Sequence, residues 1–204
     1  MPRIFINYRT SDALATATLL DRELTARFGA DEIFRAGRSI GAGRKFPDEI
    51  RKGLRKCDVL VALIGPGWRD ACTKDGCRAL DDENDWVRVE ITEAFRFGLS
   101  VLPVLLDRTP RLTRSDVPEA LAELTEVQNL VLDHRYPDDG LDRIADAITA
   151  EVPELGKLRR PRPSGRSELA DGGLRGNFFF GTSTTKGDNV AGDKHVHGPG
   201  GRRA

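Results

Sequence analysis

At 204 residues, with 39% apolar and 31% charged side chains, the chain is long enough to bury the core of one ordinary α/β domain and to carry an appendage. No apolar run approaches the ~20 residues needed to cross a bilayer, and MPRIFINYRT lacks the apolar stretch and cleavage site of a secretory leader, so a cytoplasmic protein with no membrane contact is expected. The net charge of zero conceals an asymmetry: residues 156–204 carry 10 basic and 4 acidic side chains, and this cationic segment is read as solvated rather than as a nucleic-acid surface. Cys57, Cys72 and Cys77 are read as reduced thiols, without the spacing or companions of a metal site.

Arg3 to Tyr8 is a β-branched and aromatic run, read as the first strand. Ser11-Asp12 then open a helix whose apolar face is Leu14, Ala17, Leu20, Leu24 and Phe28. Glu32 to Phe34 make a very short second strand, followed by a glycine-bearing loop over Arg35 to Arg44 and a helix over Phe46 to Lys56. Val59 to Ile64 is continuously apolar, as expected of a central parallel strand covered on both faces, and Gly65-Pro66-Gly67 ends it. In the polar stretch from Trp68 to Glu83, Trp68 is assigned to packing. Asp85 caps a helix that runs to Phe97 and closes at Gly98. Val101 to Leu106 is the fourth strand, placed near a sheet edge because Pro103 lacks an N–H. Val127 to Leu132 is the fifth, and Asp138 to Val152 the last helix, with Leu141, Ile144, Ala145 and Ile148 on one face.

Strands alternating with helices imply right-handed crossovers and an α/β, flavodoxin-like, five-stranded parallel sheet with helices on both faces. Its ligand crevice lies at the carboxyl ends of the strands, so the functional loops should follow Tyr8, Phe34 and Ile64. The globular domain is assigned to residues 1–152, a Pro/Arg/Gly linker to 153–175 and a glycine-rich tail to 176–204. In the tail, glycines recur at 176, 181, 187, 192 and 198 around Phe178-Phe179-Phe180, a rhythm that suits either a disordered cationic extension or very short strands that pair with another copy or with the globular body, the copy pairing being the one that would oligomerise the protein. The motifs GxGxxG and GxxxxGK[ST] are absent, so neither a Rossmann dehydrogenase nor a P-loop NTPase is supported.

Four separated segments, in order and on the appropriate elements, resemble TIR (Toll/interleukin-1 receptor) domains of the bacterial type: FINYRTSD, FRAGRSIGAGRKFPDEI, CDVLVALIGPGW and DWVRVEITEAFRFGLSVLPVLLD. The resemblance covers roughly residues 1–150. It implies self-association through TIR surfaces and, in the catalytic branch, hydrolysis or cyclisation of NAD+ during antiphage defence. Other members are adaptors without turnover, and that alternative stays open.

In catalytic members a glutamate follows a tryptophan in the pattern Asp-Trp-Val-x-x-Glu-Ile, which Asp85-Trp86-Val87-Arg88-Val89-Glu90-Ile91 matches; the resemblance therefore implies Glu90 as the catalytic residue. On a helix, Trp86 and Glu90 share a face and border one crevice. The nicotinamide of NAD+ is already cationic and leaves as a neutral base, so one fixed carboxylate that stabilises the oxocarbenium-like ribose suffices. NAD+ is the substrate, and no cofactor, metal or catalytic histidine is required. Glu90 is expected to be partly exposed, so that its replacement abolishes nicotinamide release with little effect on folding. Tyr8 and Arg9 leave the first strand at the crevice, where the resemblance implies nucleotide contacts and, for Arg9, a phosphate. Trp86 either stacks on a ring or anchors its helix. In the loop after the second strand, Ala36 and Arg38 stand where many members are acidic, and Gly41-Ala42 replaces Pro-Pro; Arg38, Gly43 and Arg44 are the substrate-binding candidates there. His134, His195 and His197 receive no role.

Overall fold

Five strands make one wholly parallel sheet in the order β2-β1-β3-β4-β5. They are β1 (Ile4–Tyr8), β2 (Ile33–Phe34), β3 (Val59–Ile64), β4 (Ser100–Leu106) and β5 (Leu130–Leu132). The computed structural model describes residues 3–35 and 46–161; the candidates Arg38, Gly43 and Arg44, and the linker and tail assigned from residue 162 onward, lie outside that range. The lack of alternation in VLVALI has a direct cause. Every residue of β3 is buried, and the strand pairs along its length with β1 on one side and β4 on the other.

Helices cover both faces. Ile4, Ile6, Val61 and Leu63 pack under α1 (Thr10–Phe28), α4 (Pro137–Glu151) and α5 (Pro153–Leu158). Phe5, Leu60, Ala62 and Ile64 pack under α2 (Phe46–Leu54) and α3 (Trp86–Phe97), together with Trp68, which is fully buried. None of the described helices is long and apolar enough to cross a membrane.

Four local readings are corrected. The first helix begins at Thr10, and its backbone departs from helical geometry at Ala13, which turns Ala13 into the core and leaves Leu14 46% exposed. Asp12 does not cap that helix; its carboxylate accepts from the Gly65 and Gly67 amides at 2.9 and 2.8 Å, beyond the end of β3. Pro103 lies in an interior strand opposite Ala62. It is tolerated there because β5 pairs with β4 only from Val104 onward. Finally, the segment assigned to the start of the linker is α5, with Pro153 in its first turn and Leu155 completely buried. The Arg160 amide donates to the Arg27 carbonyl at 2.8 Å and Arg159 pairs with Asp146 at 2.5 Å, so the ordered domain extends past Val152.

Candidate active site

The strand order reverses at β1, whose neighbours β2 and β3 lie on opposite sides, and in open α/β sheets a crevice forms at the carboxyl end of such a point. Here that crevice is a cleft of about 770 Å³. Tyr8, Arg9 and Ser11 line it from the exit of β1, and Asp85, Trp86 and Glu90 from the start of α3. Four sequence candidates, Tyr8, Arg9, Trp86 and Glu90, thus come from segments far apart in the chain to one wall.

Local chemistry sets the start of α3. Asp85 is in extended backbone and its side chain accepts from the Arg88 amide at 3.0 Å, as an N-cap does. Gly98, with φ at 73°, closes the helix in the left-handed region that a side chain disfavours. The two Asp85 oxygens also receive both terminal nitrogens of Arg9, at 2.8 and 3.2 Å. Such a bidentate pair combines charge with fixed geometry, and this one is shielded, with side-chain exposures of 12% and 9%. Arg9 therefore ties the exit of β1 to the first turn of α3. The phosphate role anticipated for it has to contend with that partner; only its Nε is buried and unpaired.

Glu90 is buried, at 7% exposure, and not the partly exposed carboxylate expected. The cause is the helix face: Val87, Glu90, Ile91 and Ala94 form the stripe that α3 presents to the sheet. Neither Arg88 nor Arg96 supplies a hydrogen bond to it; Arg88 donates instead to the Leu80 and Asp81 carbonyls. The partner is Asn7 of β1, whose Nδ2 donates to Glu90 Oε2 at 2.7 Å and lies 3.4 Å from the Val87 carbonyl. Burial pushes the Glu90 carboxyl up to about 8; the Asn7 hydrogen bond opposes this and the nearby Asp85 charge adds to it. Glu93, one turn further, pairs with Arg51 on the surface.

Asn7 escaped the sequence reading. Its signal was an amide following Phe5 at the two-residue period, on a strand face that otherwise demands apolar side chains. Trp86 borders the cleft and packs against the core on the α2/α3 side. Tyr8 borders the cleft and packs toward the opposite core.

The loop after β3 was also expected to be functional, yet its donors are occupied. Gly65 and Gly67 give their amides to Asp12, and a Cβ at Gly65 would lie 2.4 Å from Asp12 Oδ2, which is why the position requires glycine. His134, given no role, joins three elements: its Nε2 is 2.7 Å from Thr16 Oγ1 on α1, and its Nδ1 is 2.8 Å from Asp107 after β4. Thr16 is buried in mid-helix, so the cluster acts as a clasp between strand ends and α1. Among the described residues no group of His, Cys, Asp and Glu is arranged to hold a metal ion.

A family model described as TIR domain matches residues 4–145. No curated protein matches the chain. Among solved structures, the TIR domains of the activated Roq1 resistosome directly recognizing the pathogen effector XopQ align with a TM-score of 0.54 and 15% identity, over 72% of this chain and 99% of that one. The TIR domain of the Toll-related receptor TRR-2 from Hydra magnipapillata aligns at 0.47 and 14% identity, over 72% and 98%. A metazoan TIR-STING receptor from C. gigas, solved in complex with 2',3'-cGAMP, aligns at 0.46 and 18% identity, over 69% of this chain and 38% of that one. At such identities structural likeness speaks to the fold alone. The family match runs from the first strand into α4 and the Roq1 TIR domains share the fold: the chain belongs to the TIR domain family.

Proposed function

We propose that the protein is an NAD+ nucleosidase of the bacterial TIR type, with Glu90 as the catalytic carboxylate. The observation that carries this reading is a carboxylate 7% exposed, held by a buried amide, in the wall of a cleft that also presents Tyr8 and Trp86. A volume of about 770 Å³ is within the range of small-molecule sites. As the bond between the ribose anomeric carbon and the nicotinamide nitrogen breaks, its electron pair passes to the ring and cancels the ring's charge. The positive charge moves onto the ribose, where a carboxylate in a poorly hydrated wall stabilises it more strongly than in water. Water then adds to the anomeric carbon and releases a proton, giving ADP-ribose; attack by the substrate's own adenine nitrogen gives a cyclic product instead.

In this reading NAD+ is substrate and not cofactor, Trp86 and Tyr8 flank its rings, and Arg9 borders the nucleotide with its charge shared with Asp85. Arg38, Gly43 and Arg44 form the loop that closes on substrate or meets a second protomer. The protein acts in the bacterial cytoplasm, in antiphage signalling, once self-assembled through TIR surfaces and the glycine-rich tail. A non-catalytic adaptor is the second reading. It is favoured by one observation: among the described residues Arg9 is the single cation lining the cleft, and Asp85 already holds it.

The deciding experiment is incubation of the purified full chain with NAD+ over a range of protein concentrations, with free nicotinamide measured for wild type and Glu90→Gln. Release by wild type alone supports the enzyme. Self-association of wild type without any release identifies the adaptor.

A further inference from the structure

We infer that Asn7 is the positioning residue of this site, its amide fixing one Glu90 oxygen and leaving the other for the ligand. The inference rests on Glu90 being the acting carboxylate for its consequence in turnover, and on geometry alone for the pairing itself.

Asn7 sits in β1, paired to Ala62 of the fully buried β3, and is itself completely buried. An amide in such a place costs several kcal/mol unless its hydrogen-bonding groups find partners, and an apolar side chain would continue the face begun by Phe5. Packing therefore gives no reason for it. Only half of the amide is satisfied. Nδ2 donates to Glu90 Oε2 at 2.7 Å, with the Val87 carbonyl at 3.4 Å, whereas Oδ1 is buried with no partner. A residue serving the fold alone would be satisfied at both ends; this one is placed for what its donor does.

The neighbouring charges single out Asn7. Asp85, at the start of the same helix, repels a charged Glu90, and Arg9, from the exit of β1, has its charge engaged by Asp85. Tyr8 contributes a phenol to the same cleft without a hydrogen bond to Glu90. Among the described residues Asn7 supplies the one hydrogen bond that Glu90 receives, and Oε1 receives none. A donor held by a central strand fixes the carboxylate to within the few tenths of an ångström that a preorganised site requires, and it favours the charged over the neutral form.

Two consequences separate this role from simple packing. Removing the donor raises the Glu90 midpoint by about one pH unit, the usual worth of a hydrogen bond to a charged group. At neutral pH that lowers kcat/KM about tenfold, with recovery in alkali, where the carboxyl ionises again. A packing defect would lower activity at every pH.

The test is a titration by NMR of protein labelled with ¹³C at the glutamate carboxyl and ¹⁵N at asparagine, for wild type, Asn7→Leu and Asn7→Ser. In wild type the Asn7 side-chain amide signals should move with the same midpoint as the Glu90 carboxyl; this readout needs no variant to fold. Asn7→Leu should shift the Glu90 midpoint upward by about one unit, and Asn7→Ser, which keeps a donor, should fall between the two. Amide signals that ignore the Glu90 titration, or an unchanged midpoint in folded Asn7→Leu, overturn the inference. Absence of nicotinamide release by wild type refutes the nucleosidase reading instead, and leaves the titration to decide the pairing.

Discussion

Replacing Glu90 by glutamine should make the protein more stable above neutral pH, although it removes the residue proposed to carry out the chemistry. The folded-state midpoint of Glu90 is about 8, well above the ordinary carboxyl value of 4.5. Between those two values the native state keeps a proton that the unfolded chain has lost, so stability falls as pH rises, by up to about 1.4 kcal/mol per unit. Stability tied to this group is fully present below about pH 4.5 and is lost by pH 8. From pH 5.5 to 7.5 the loss amounts to about 2–3 kcal/mol. Glutamine has nearly the same volume, offers an oxygen to Asn7 Nδ2 and never ionises, so its stability carries no such slope. The other carboxylates titrate in both proteins and cancel in the difference. Urea unfolding of wild type and Glu90→Gln at half-unit pH steps should give stabilities that meet near pH 5 and diverge upward, by about 2–3 kcal/mol at pH 7.5. Parallel curves would show that Glu90 is not desolvated as its position in α3 indicates, and would remove the physical basis of the site.

In the nucleosidase reading the ionised carboxylate is the acting form, so kcat/KM for nicotinamide release should climb from pH 6, reach half its maximum near pH 8 and level off only about one unit above that; a flat profile from pH 6 to 9 would contradict it. Asp12→Ala should destabilise the domain by about 1–3 kcal/mol, because the Gly65 and Gly67 amides lose their acceptor. A change below about 0.5 kcal/mol in urea unfolding, the size of an ordinary surface substitution, would mean that water replaces the carboxylate without cost. A chain ending at Glu154 should unfold about 2–3 kcal/mol more easily than one ending at Pro161, through loss of the buried Leu155 and its helix. Equal melting temperatures would return residues 153–161 to the linker. Sedimentation of the Pro161 chain beside the full chain then isolates the tail: a smaller mass is expected without it, and equal masses would dismiss it as an assembly element.

Features governed by neighbours in sequence were legible, and those governed by distant pairing were not. VLVALI announces a central strand because burial on both faces removes alternation, and Asp85 and Gly98 announce the ends of α3 because caps are local. Pro103 misled because its tolerance depends on where β5, a segment 27 residues further along, begins to pair. Leu14 misled because the backbone departs from helical geometry at Ala13, which takes the core position ahead of Ala17, Leu20, Leu24 and Phe28 and leaves Leu14 exposed. In α5 the surrounding prolines, glycine and arginines have the composition of a linker, and only Leu155 betrays a helix that docks. At the site, Trp86 and Glu90 stood out because they share a helix, whereas Asn7 is 83 residues away and meets Glu90 only once the sheet exists. The resemblance supplied the name of the carboxylate; its burial and its altered acidity belong to the packing.

The hydrogen bond from Arg160 to Arg27 also decides which way the domain faces when it is held by its end. The helix α1 starts at the cleft with Thr10 and reaches Arg27 after a rise of roughly 26 Å, so the chain passes Arg160 at the pole opposite the cleft. In a chain ending at Pro161, a surface or a fluorophore joined to the carboxyl end attaches at that pole. Immobilising that shortened chain through its carboxyl end should therefore leave the cleft pointing into solution, whereas coupling at the amino end of α1 brings the attachment to its rim.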